Sequence, residues 1–264
     1  MSLPMNHLDL FRQRLDSGKL CLGPSITLSD PVVTEALAPS VDFFWIDLEH
    51  NPTSLESVTS HLIAARAGGA PALVRVPCSD VAWIKRVLDV GADGIIVPQV
   101  RSVAEVRSVV SACRYPPMGT RGFGPRRSNN YGRENPQAYL AEANRRVFLA
   151  IQIETADAYH SLDAILDIPG FDSIVIGPND LSGSLGMLGQ LDHPQVVEAV
   201  GSIASRSRAA GRYVGIGMAP NIEHALRAAR QGVQWVQCGG DCGFLIDSAE
   251  RLYDGIRQRL DEKG

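Results

Sequence analysis

Acidic side chains stand at the ends of two apolar, strand-like segments of this sequence. In Phe148-Leu-Ala-Ile-Gln-Ile-Glu-Thr155, the polar residues Gln152 and Glu154 alternate with isoleucines, and in a strand this spacing directs both to one face. A further carboxylate, Asp180, follows another apolar run in Ser173-Ile-Val-Ile-Gly-Pro-Asn-Asp180. Two acids at two strand ends indicate a shared site.

The pairing of Glu154 with Asp180 indicates a site for a divalent cation. Two carboxylates in a sheltered pocket repel each other, and a cation is the simplest means of keeping both ionised. No histidine or cysteine adjoins them in the sequence, and oxygen ligands favour Mg²⁺ or Mn²⁺ over a closed zinc site. Two structural alternatives stay open: a salt bridge between Glu154 and an arginine of another strand, and an N-cap by Asp180 on a helix over 181–184.

His50 is the candidate general base, and Arg75 is the candidate anion-binding group. His50 closes Asp47-Leu-Glu-His50 after an apolar run; imidazole accepts a proton near neutral pH, and Asp47 is expected to orient its ring. The other histidines are expected to be structural. Arg75 alternates with apolar neighbours, and a buried arginine requires an anion. That anion is either Asp47 or Glu154, or a substrate oxygen on which enolate charge develops.

Eight apolar segments alternate with helical patterns along the chain. This alternation is typical of parallel strands joined by helices, and eight such units favour an α/β fold of the (β/α)8 TIM-barrel type. A doubly wound sheet is the alternative, although no GxGxxG motif follows the first strand to support it. Reactive groups in such barrels lie at the carboxyl ends of the strands, where the residues above are found. The predicted strands are Leu20–Ser25, Asp42–Leu48, Ala72–Val76, Gly94–Pro98, Val147–Glu154, Ser173–Gly177, Arg212–Gly217 and Gln234–Cys238.

Composition excludes several classes of protein. The 264 residues carry a net charge of −4 with 20% charged residues, which is ordinary for an enzyme and offers no basic stripe for nucleic acid. No apolar run approaches the roughly 20 residues that cross a bilayer, and the N-terminus lacks signal-peptide features. The five scattered cysteines fit reduced thiols. We therefore expect a cytoplasmic protein with no membrane or nucleic-acid partner and one domain over residues 1–264.

One segment interrupts the alternation. Residues 114–132 are rich in glycine, proline and arginine, and a loop of this length in a compact domain usually serves a site or a subunit contact. Arg121, Arg126 and Arg127 are expected either to bind a carboxylate or to meet the acidic residues of a partner.

Five motifs in order give the chain a family resemblance. Phe43-Phe-Trp-Ile-Asp-Leu-Glu-His50, Val74-Arg-Val-Pro77, Val87-Leu-Asp-Val-Gly-Ala92, Ile151-Gln-Ile-Glu-Thr155 and Gly177-Pro-Asn-Asp-Leu-Ser182 resemble the HpcH/HpaI aldolases, from about residue 10 to residue 257. The resemblance implies a barrel of the phosphoenolpyruvate/pyruvate superfamily. It also implies a class II, metal-dependent aldolase that reversibly cleaves a 4-hydroxy-2-oxo acid to pyruvate and an aldehyde through a pyruvate enolate.

Carried over by position, the resemblance implies a role for each residue. Glu154 and Asp180 would ligate the metal, which is Mg²⁺ or Mn²⁺, or else Co²⁺. Arg75 would bind the keto oxygen and stabilise the enolate with the metal. His50, paired with Asp47, would remove the hydroxyl proton.

The resemblance further implies how the substrate and a second subunit complete the site. Gln152 would lie beside the metal, and the backbone near Asn179 and Asp180 would hold the pyruvate carboxylate. Asp89 would contribute to the site of an adjacent subunit, in a hexamer (a trimer of dimers) with the last helix exchanged between partners. The chain departs from several relatives at Ser25, where they carry an aromatic residue, and at Asn179, where many carry alanine. The first departure alters the wall that would meet the aldehyde.

Other functions stay open at this point. No predicted strand contains a lysine, which disfavours a Schiff-base aldolase. Oxaloacetate decarboxylation and a citrate-synthase-like condensation would use the same enolate. A non-catalytic binding or scaffold barrel is the alternative of another class.

Overall fold

Eight parallel strands close into a barrel. The computed structural model describes residues 7–262, so residues 1–6 and 263–264 of the expected domain lie outside the described residues. The strands pair in chain order and the first pairs with the last; the predicted TIM barrel is confirmed and the doubly wound alternative is wrong. The strands are β1 Cys21–Ile26, β2 Phe44–Asp47, β3 Ala72–Arg75, β4 Gly94–Val97, β5 Phe148–Ile153, β6 Ser173–Ile176, β7 Tyr213–Met218 and β8 Trp235–Gly240.

Helices occupy the connections between the strands. Side chains such as those of Ser54, Asp80 and Ser102 cap them at their N-termini, and Gly69 ends one in the left-handed conformation at φ 85°. No helix within residues 7–262 combines the length and apolarity of a membrane span. The helices are α1 His7–Asp16, α2 Val32–Leu37, α3 Leu55–Gly68, α4 Val81–Asp89, α5 Val103–Cys113, α6 Pro136–Ala143, α7 Ala156–His160, α8 Leu162–Leu166, α9 Pro178–Ser184, α10 Pro194–Ala209, α11 Ile222–Arg230 and α12 Asp241–Asp261, with 3-10 segments at Ala38–Ser40 and Arg127–Gly132.

The last strand runs farther than the sequence predicts. We expected it to end at Cys238, but Gly240 pairs with Ser25 of β1 after a register shift between Gly23 and Ser25. Gly239 has a φ of 77°, a conformation that favours glycine. This irregularity in the pairing of β1 with β8 lies towards the carboxyl end of the barrel.

Helix α1 closes the amino-terminal end of the barrel. Phe11 is 1% exposed, and its ring centroid lies 5.5 Å from that of Phe43, 5.6 Å from Phe148 and 6.4 Å from Trp235. Trp45 forms the next layer inside the barrel, with its ring 6.0 Å from that of Trp235. The apolar interior therefore fills the lower barrel and leaves the polar side chains at the opposite end.

Alternation along β5 divides its side chains between the two faces as predicted. Phe148 and Ala150 belong to the cluster inside the barrel, whereas Ile151 and Ile153 belong to the outer cluster between strands and helices. Gln152 therefore shares the inner face.

The loop over residues 114–132 is tied to the barrel by its own arginines. Arg114 donates to Asp172 at 3.0 Å and to the Gly170 carbonyl at 2.8 Å. Arg121 pairs with Asp89 at 2.9 Å, and Arg127 donates to backbone carbonyls. Two of the three arginines expected to bind a carboxylate or a partner thus have partners within the chain.

Candidate active site

The polar ends of neighbouring strands meet at the carboxyl-terminal mouth of the barrel. Strand register places Asp47 of β2 opposite Arg75 of β3. It also sets Glu154, one residue beyond β5, beside Gly177, one residue beyond β6. A Cβ atom at residue 177 would collide with the Glu154 carboxylate, so the glycine makes room for that side chain.

Glu154 is a buried carboxylate, only 1% exposed. Its Oε1 accepts a hydrogen bond from the backbone N–H of Gln99 at 2.7 Å, and its Oε2 accepts one from Gln152 Nε2. Burial, together with the negative charges of Glu49 and Asp180, raises its pKa to about 7 despite both hydrogen bonds. No ion pair joins Glu154 to an arginine anywhere in residues 7–262, so the salt-bridge alternative is wrong.

Two glutamine residues hold the Glu154 carboxylate in place. Gln99 has a φ of 57°, a left-handed conformation that costs about 1 kcal/mol or more in a residue other than glycine, and it directs its N–H at Glu154. Gln152 donates its Nε2, but its Oε1 is buried and has no hydrogen-bond partner among the described residues. An unpaired buried acceptor costs about 1–3 kcal/mol, which suits a pocket that receives a further donor or a cation.

Arg75 is held by two carboxylates. Its Nε and Nη2 donate to Oδ1 and Oδ2 of Asp47, both at 2.8 Å, and its Nη1 lies 3.0 Å from Oε2 of Glu49. The second contact is an ion pair without hydrogen-bond geometry, since Glu49 Oε2 makes no hydrogen bond. The guanidinium also lies over the Trp45 ring, 5.1 Å from its centroid. Of the expected protein partners, Asp47 is the one that pairs with Arg75.

Glu49 is a member of the site that the sequence analysis did not single out. It lies between Asp47 and His50 in one turn, and burial raises the pKa of its carboxyl against the lowering effect of Arg75. The available signal was a second acid, two residues after Asp47, in the segment that follows β2. What could not be read from that signal was that the side chain turns inward to Arg75 rather than outward to solvent.

The structure places His50 beside Glu49 rather than Asp47. The imidazole is 60% exposed at the mouth, with Nε2 3.6 Å from Glu49 Oε2. Asp47 accepts hydrogen bonds from Arg75, from the Glu49 N–H at 3.0 Å and from Asn51 Nδ2 at 3.0 Å. The expectation that Asp47 orients the His50 ring is therefore wrong, because the Arg75 fork and the turn occupy both of its oxygens.

His61, expected to be structural, is buried within the fold. Its two ring nitrogens contact the Thr34 hydroxyl at 2.8 Å and the Leu28 carbonyl at 2.9 Å. Both polar atoms of the imidazole are thus used inside the fold, away from the mouth.

Asn179 and Asp180 lie in the first turn of α9, exposed at the mouth. The helix begins at Pro178 with Gly177 as its N-cap, so the expected N-cap role of Asp180 is wrong. No hydrogen bond or ion pair holds the Asp180 carboxylate within residues 7–262, yet its charge acts on both Glu49 and Glu154. It is therefore available to a ligand.

Asp89 is not brought together with the other candidates. It is the last residue of α4, a helix that runs from the carboxyl end of β3 back to the amino end of β4. It pairs there with Arg121 of the long loop. Within one chain Asp89 is thus remote from the mouth.

The residues at the mouth suit an open cation site rather than a closed one. No group of three or more histidine, cysteine or acidic side chains is arranged to hold a metal in the part of the chain that is described. Glu154 and Asp180 together supply two carboxylates that no arginine or lysine pairs with, and Gln152 Oε1 has no hydrogen-bond partner. This donor set fits a hard cation that leaves positions for substrate and water.

Comparison with known proteins agrees with this architecture. Residues 27–248 match the family model HpcH/HpaI aldolase/citrate lyase. A 4-hydroxy-2-oxovalerate aldolase of Rhodococcus jostii (strain RHA1) is 37% identical, with 96% of each chain covered. The HpcH/HpaI aldolase from Desulfitobacterium hafniense DCB-2 superposes with a TM-score of 0.87 at 30% identity, covering 93% of this chain and 96% of the other.

A condensing enzyme is also among the similar structures. The citrate synthase SbnG superposes with a TM-score of 0.84 at 30% identity, over 95% of this chain and 98% of the other. Barrel closure, the polar mouth and these matches along nearly the whole chain point to one group of enzymes. The protein is a carbon–carbon lyase and belongs to the HpcH/HpaI aldolase/citrate lyase family.

Proposed function

We propose that this enzyme is a metal-dependent pyruvate aldolase, which reversibly cleaves a 4-hydroxy-2-oxo acid to pyruvate and an aldehyde. The observation that carries the proposal is that one mouth contains both Arg75 and two carboxylates, Glu154 and Asp180, that no arginine or lysine pairs with. A 2-oxo acid offers a carboxylate and a keto oxygen, which suit a cation and an arginine respectively. The relative from Rhodococcus jostii is named for a substrate of this class.

Arg75 is proposed to bind the keto oxygen and to stabilise the negative charge that develops there. Its attachment to Asp47 and Glu49 fixes the guanidinium before substrate arrives, so little reorganisation is needed in the transition state. Glu154 and Asp180 would hold a divalent cation, Mg²⁺ or Mn²⁺ or else Co²⁺, which would supply Lewis-acid polarisation of a keto group.

The oxygen-binding groups on β5 and α9 would complete the pyruvate site. Gln152 lies beside Glu154, and the exposed first turn of α9 with Asn179 offers backbone N–H groups to the pyruvate carboxylate.

His50 is proposed as the base of the cleavage. It removes the proton of the C4 hydroxyl, directly or through water, while the C3–C4 bond breaks and its electron pair moves towards the keto oxygen. A proton then adds at C3 to give pyruvate. The contact of His50 with Glu49, which also pairs with Arg75, links the base to the enolate-stabilising group.

Exchange of the methyl protons of pyruvate with D₂O, followed by NMR, tests this proposal without any aldehyde. We expect exchange with Mg²⁺ or Mn²⁺, its loss after chelation, and its loss in Glu154→Gln and Arg75→Met. His50→Asn should slow aldol cleavage, whereas His160→Asn, at an exposed position of α7, serves as the matched control. Full exchange and cleavage by the chelated protein would contradict the metal-dependent reading.

A second candidate is a condensing or decarboxylating enzyme that uses the same enolate. The similarity to the citrate synthase SbnG favours it, since the groups at the mouth that would stabilise an enolate are the same whichever acceptor reacts with that enolate. Two assays separate the candidates: incubation with oxaloacetate, and incubation with 4-hydroxy-2-oxo acids. Release of CO₂ or formation of a tricarboxylate in the first, together with no cleavage in the second, would favour this second function.

We also propose a homo-oligomer, a hexamer built as a trimer of dimers, in which α12 packs on a neighbouring subunit. Leu245, Leu252, Ile256 and Leu260 of α12 are 50–67% exposed, an unusual arrangement for apolar side chains of a helix. An apolar cavity of about 410 Å³ lies beside β1 and β8, where a barrel usually carries its last helix. Its lining includes Leu20, Leu22, Leu37, Val41, Ile222 and Leu226. In such an assembly Asp89 would reach an adjacent site.

A further inference from the structure

The mouth of the barrel has a neutral wall opposite the charged groups. The charged groups belong to β2, β3, β5 and α9, whereas the neutral wall is formed by residues 23–28, 217–220 and 237–239 around β1, β7 and β8. Gln237 is the long polar side chain of this wall. Its partners in strand register are Gly217 of β7 and Gly23 of β1, which carry no side chains.

Gln237 points into the same chamber as Arg75. A Cβ atom placed on Gly217 would lie 3.2 Å from Gln237 Oε1 and 3.6 Å from the Trp45 ring, so both groups face one point inside the barrel. The Trp45 ring in turn lies beneath the guanidinium of Arg75. The neighbouring residue, Cys238, packs against the outer core, as alternation requires.

The amide of Gln237 is oriented with its carbonyl oxygen unused. Its Nε2 donates to the Gly239 carbonyl, and this contact distinguishes the nitrogen from the oxygen of the amide. Ser25 Oγ donates to the same carbonyl at 3.3 Å. No protein group within residues 7–262 donates to Gln237 Oε1. The side chain is half-buried, so this oxygen is an acceptor positioned for a donor on a ligand.

The absence of cationic side chains from the neutral wall restricts the kind of donor that it can receive. Its three segments contain no lysine or arginine. Beside them, at the start of α12, the buried carboxylate of Asp241 accepts hydrogen bonds from the Thr27 and Leu28 N–H groups, each at 2.9 Å. An anionic group on the ligand would therefore find no cationic side chain in this wall and would be repelled by the nearby carboxylate of Asp241. A hydroxyl group satisfies the acceptor without adding charge.

We propose that Gln237 is a specificity-determining residue, whose side-chain oxygen accepts a hydrogen bond from a hydroxyl group on the aldehyde fragment. The inference rests on the proposed aldolase function, because the charged groups take up the pyruvate fragment and leave the neutral wall to the aldehyde. The substrate class is thus an uncharged hydroxyaldehyde rather than an alkyl aldehyde or an aldehyde acid.

Three small aldehydes test the proposal with pyruvate as the common partner. Glycolaldehyde carries the hydroxyl, propionaldehyde carries a methyl group in place of that hydroxyl, and glyoxylate carries a carboxylate in place of the whole hydroxymethyl group. We expect kcat/KM for glycolaldehyde to exceed that for propionaldehyde roughly tenfold or more, the effect of leaving a half-buried acceptor unpaired. Glyoxylate should be the poorest of the three.

Gln237→Met keeps the length of the side chain and removes the acceptor. We expect it to lower kcat/KM for glycolaldehyde about tenfold and to leave propionaldehyde addition and pyruvate proton exchange unchanged. Unchanged exchange also shows that the variant is folded with its charged groups in place. Gln13→Met, at an exposed position of α1 at the opposite end of the barrel, is the matched control. It should alter kcat/KM for neither glycolaldehyde nor propionaldehyde.

Distinct outcomes overturn the inference and the proposed function. Proton exchange and aldol addition with equal use of glycolaldehyde and propionaldehyde by the wild type would overturn the role of Gln237, however the variant folds. A selectivity that persists in Gln237→Met, or a preference for glyoxylate, would also overturn it. Absence of exchange and of addition with every aldehyde would refute the proposed aldolase, and the inference with it.

Discussion

Replacing Glu154 with glutamine should make the metal-free protein more stable at alkaline pH. Burial raises the pKa of this carboxyl to about 7 from an ordinary value of 4.5, so the folded state holds the proton more tightly than the unfolded state. Stability is therefore greatest below about pH 4.5 and falls as the pH rises to about 7. Each factor of ten in proton affinity is worth about 1.4 kcal/mol, which puts the loss near 3 kcal/mol at pH 8.

The glutamine variant avoids this loss because its amide carries no charge. Its amide oxygen can still accept a hydrogen bond from the Gln99 N–H, and its NH₂ group can donate one to the unpaired Gln152 Oε1 after rotation of the Gln152 amide. For a chain of this size, about 3 kcal/mol corresponds to a rise in Tm of roughly 6–12 °C. The rise should be present at pH 8 and small at pH 5.

Thermal unfolding of chelator-treated protein at pH 5 and pH 8 measures the effect. Glu198→Gln, at an exposed position of α10, is the matched control and should give no pH-dependent difference. Adding Mg²⁺ or Mn²⁺ at pH 8 should raise the Tm of the wild type and leave that of Glu154→Gln unchanged. An equal Tm for wild type and variant at pH 8 without metal would refute the idea that an uncompensated buried charge is present.

Three further perturbations probe the groups around the site. Arg75→Lys removes the bidentate contact with Asp47 and should lower kcat about 100-fold or more while circular dichroism is unchanged; activity within a few-fold of wild type would contradict the role of the guanidinium. Phe11→Ala removes the ring with which α1 closes the amino-terminal end of the barrel. It should cost about 3–5 kcal/mol of stability and leave kcat at low temperature unaffected. A loss of kcat in folded protein would show that the two ends of the barrel are coupled. Ile256→Asp places a charge on the exposed apolar face of α12 and should shift the protein to smaller species in sedimentation velocity; an unchanged distribution would count against packing of α12 on a neighbour.

The segments that alternate in sequence were sufficient to predict the fold. Eight apolar runs separated by helical patterns define a barrel because parallel strands need a crossover between each pair, and eight such units close. Even the faces were predictable, since Ile151 and Ile153 lie outside and Gln152 inside as period two demands.

Strand boundaries were less predictable because pairing decides them. β8 continues to Gly240 only because β1 shifts its register to meet it. Nothing in the local sequence shows such a shift, which depends on the neighbouring strand.

The identity of the partners at the mouth also required tertiary structure. Asp47 and Glu49 are separated from Arg75 by a helix in the sequence, and only the β2–β3 register brings them together. Because Arg75 binds Asp47, the Asp47 carboxylate is not paired with His50. The pair that proximity in sequence suggests therefore does not form. A hydrogen bond between side chains depends on which face and which height of the barrel each occupies.

The sequence by itself determined the barrel, the acids at two strand ends and the arginine that alternates with apolar residues, because these follow from periodicity along one strand. Only the tertiary structure decided that Glu154 is buried without a counter-charge, that Glu49 turns inward and that Gln237 faces the same chamber across Gly217. The burial of a side chain, the charges around it and the space beside a glycine each depend on residues of several strands, so no single segment of the chain determines them.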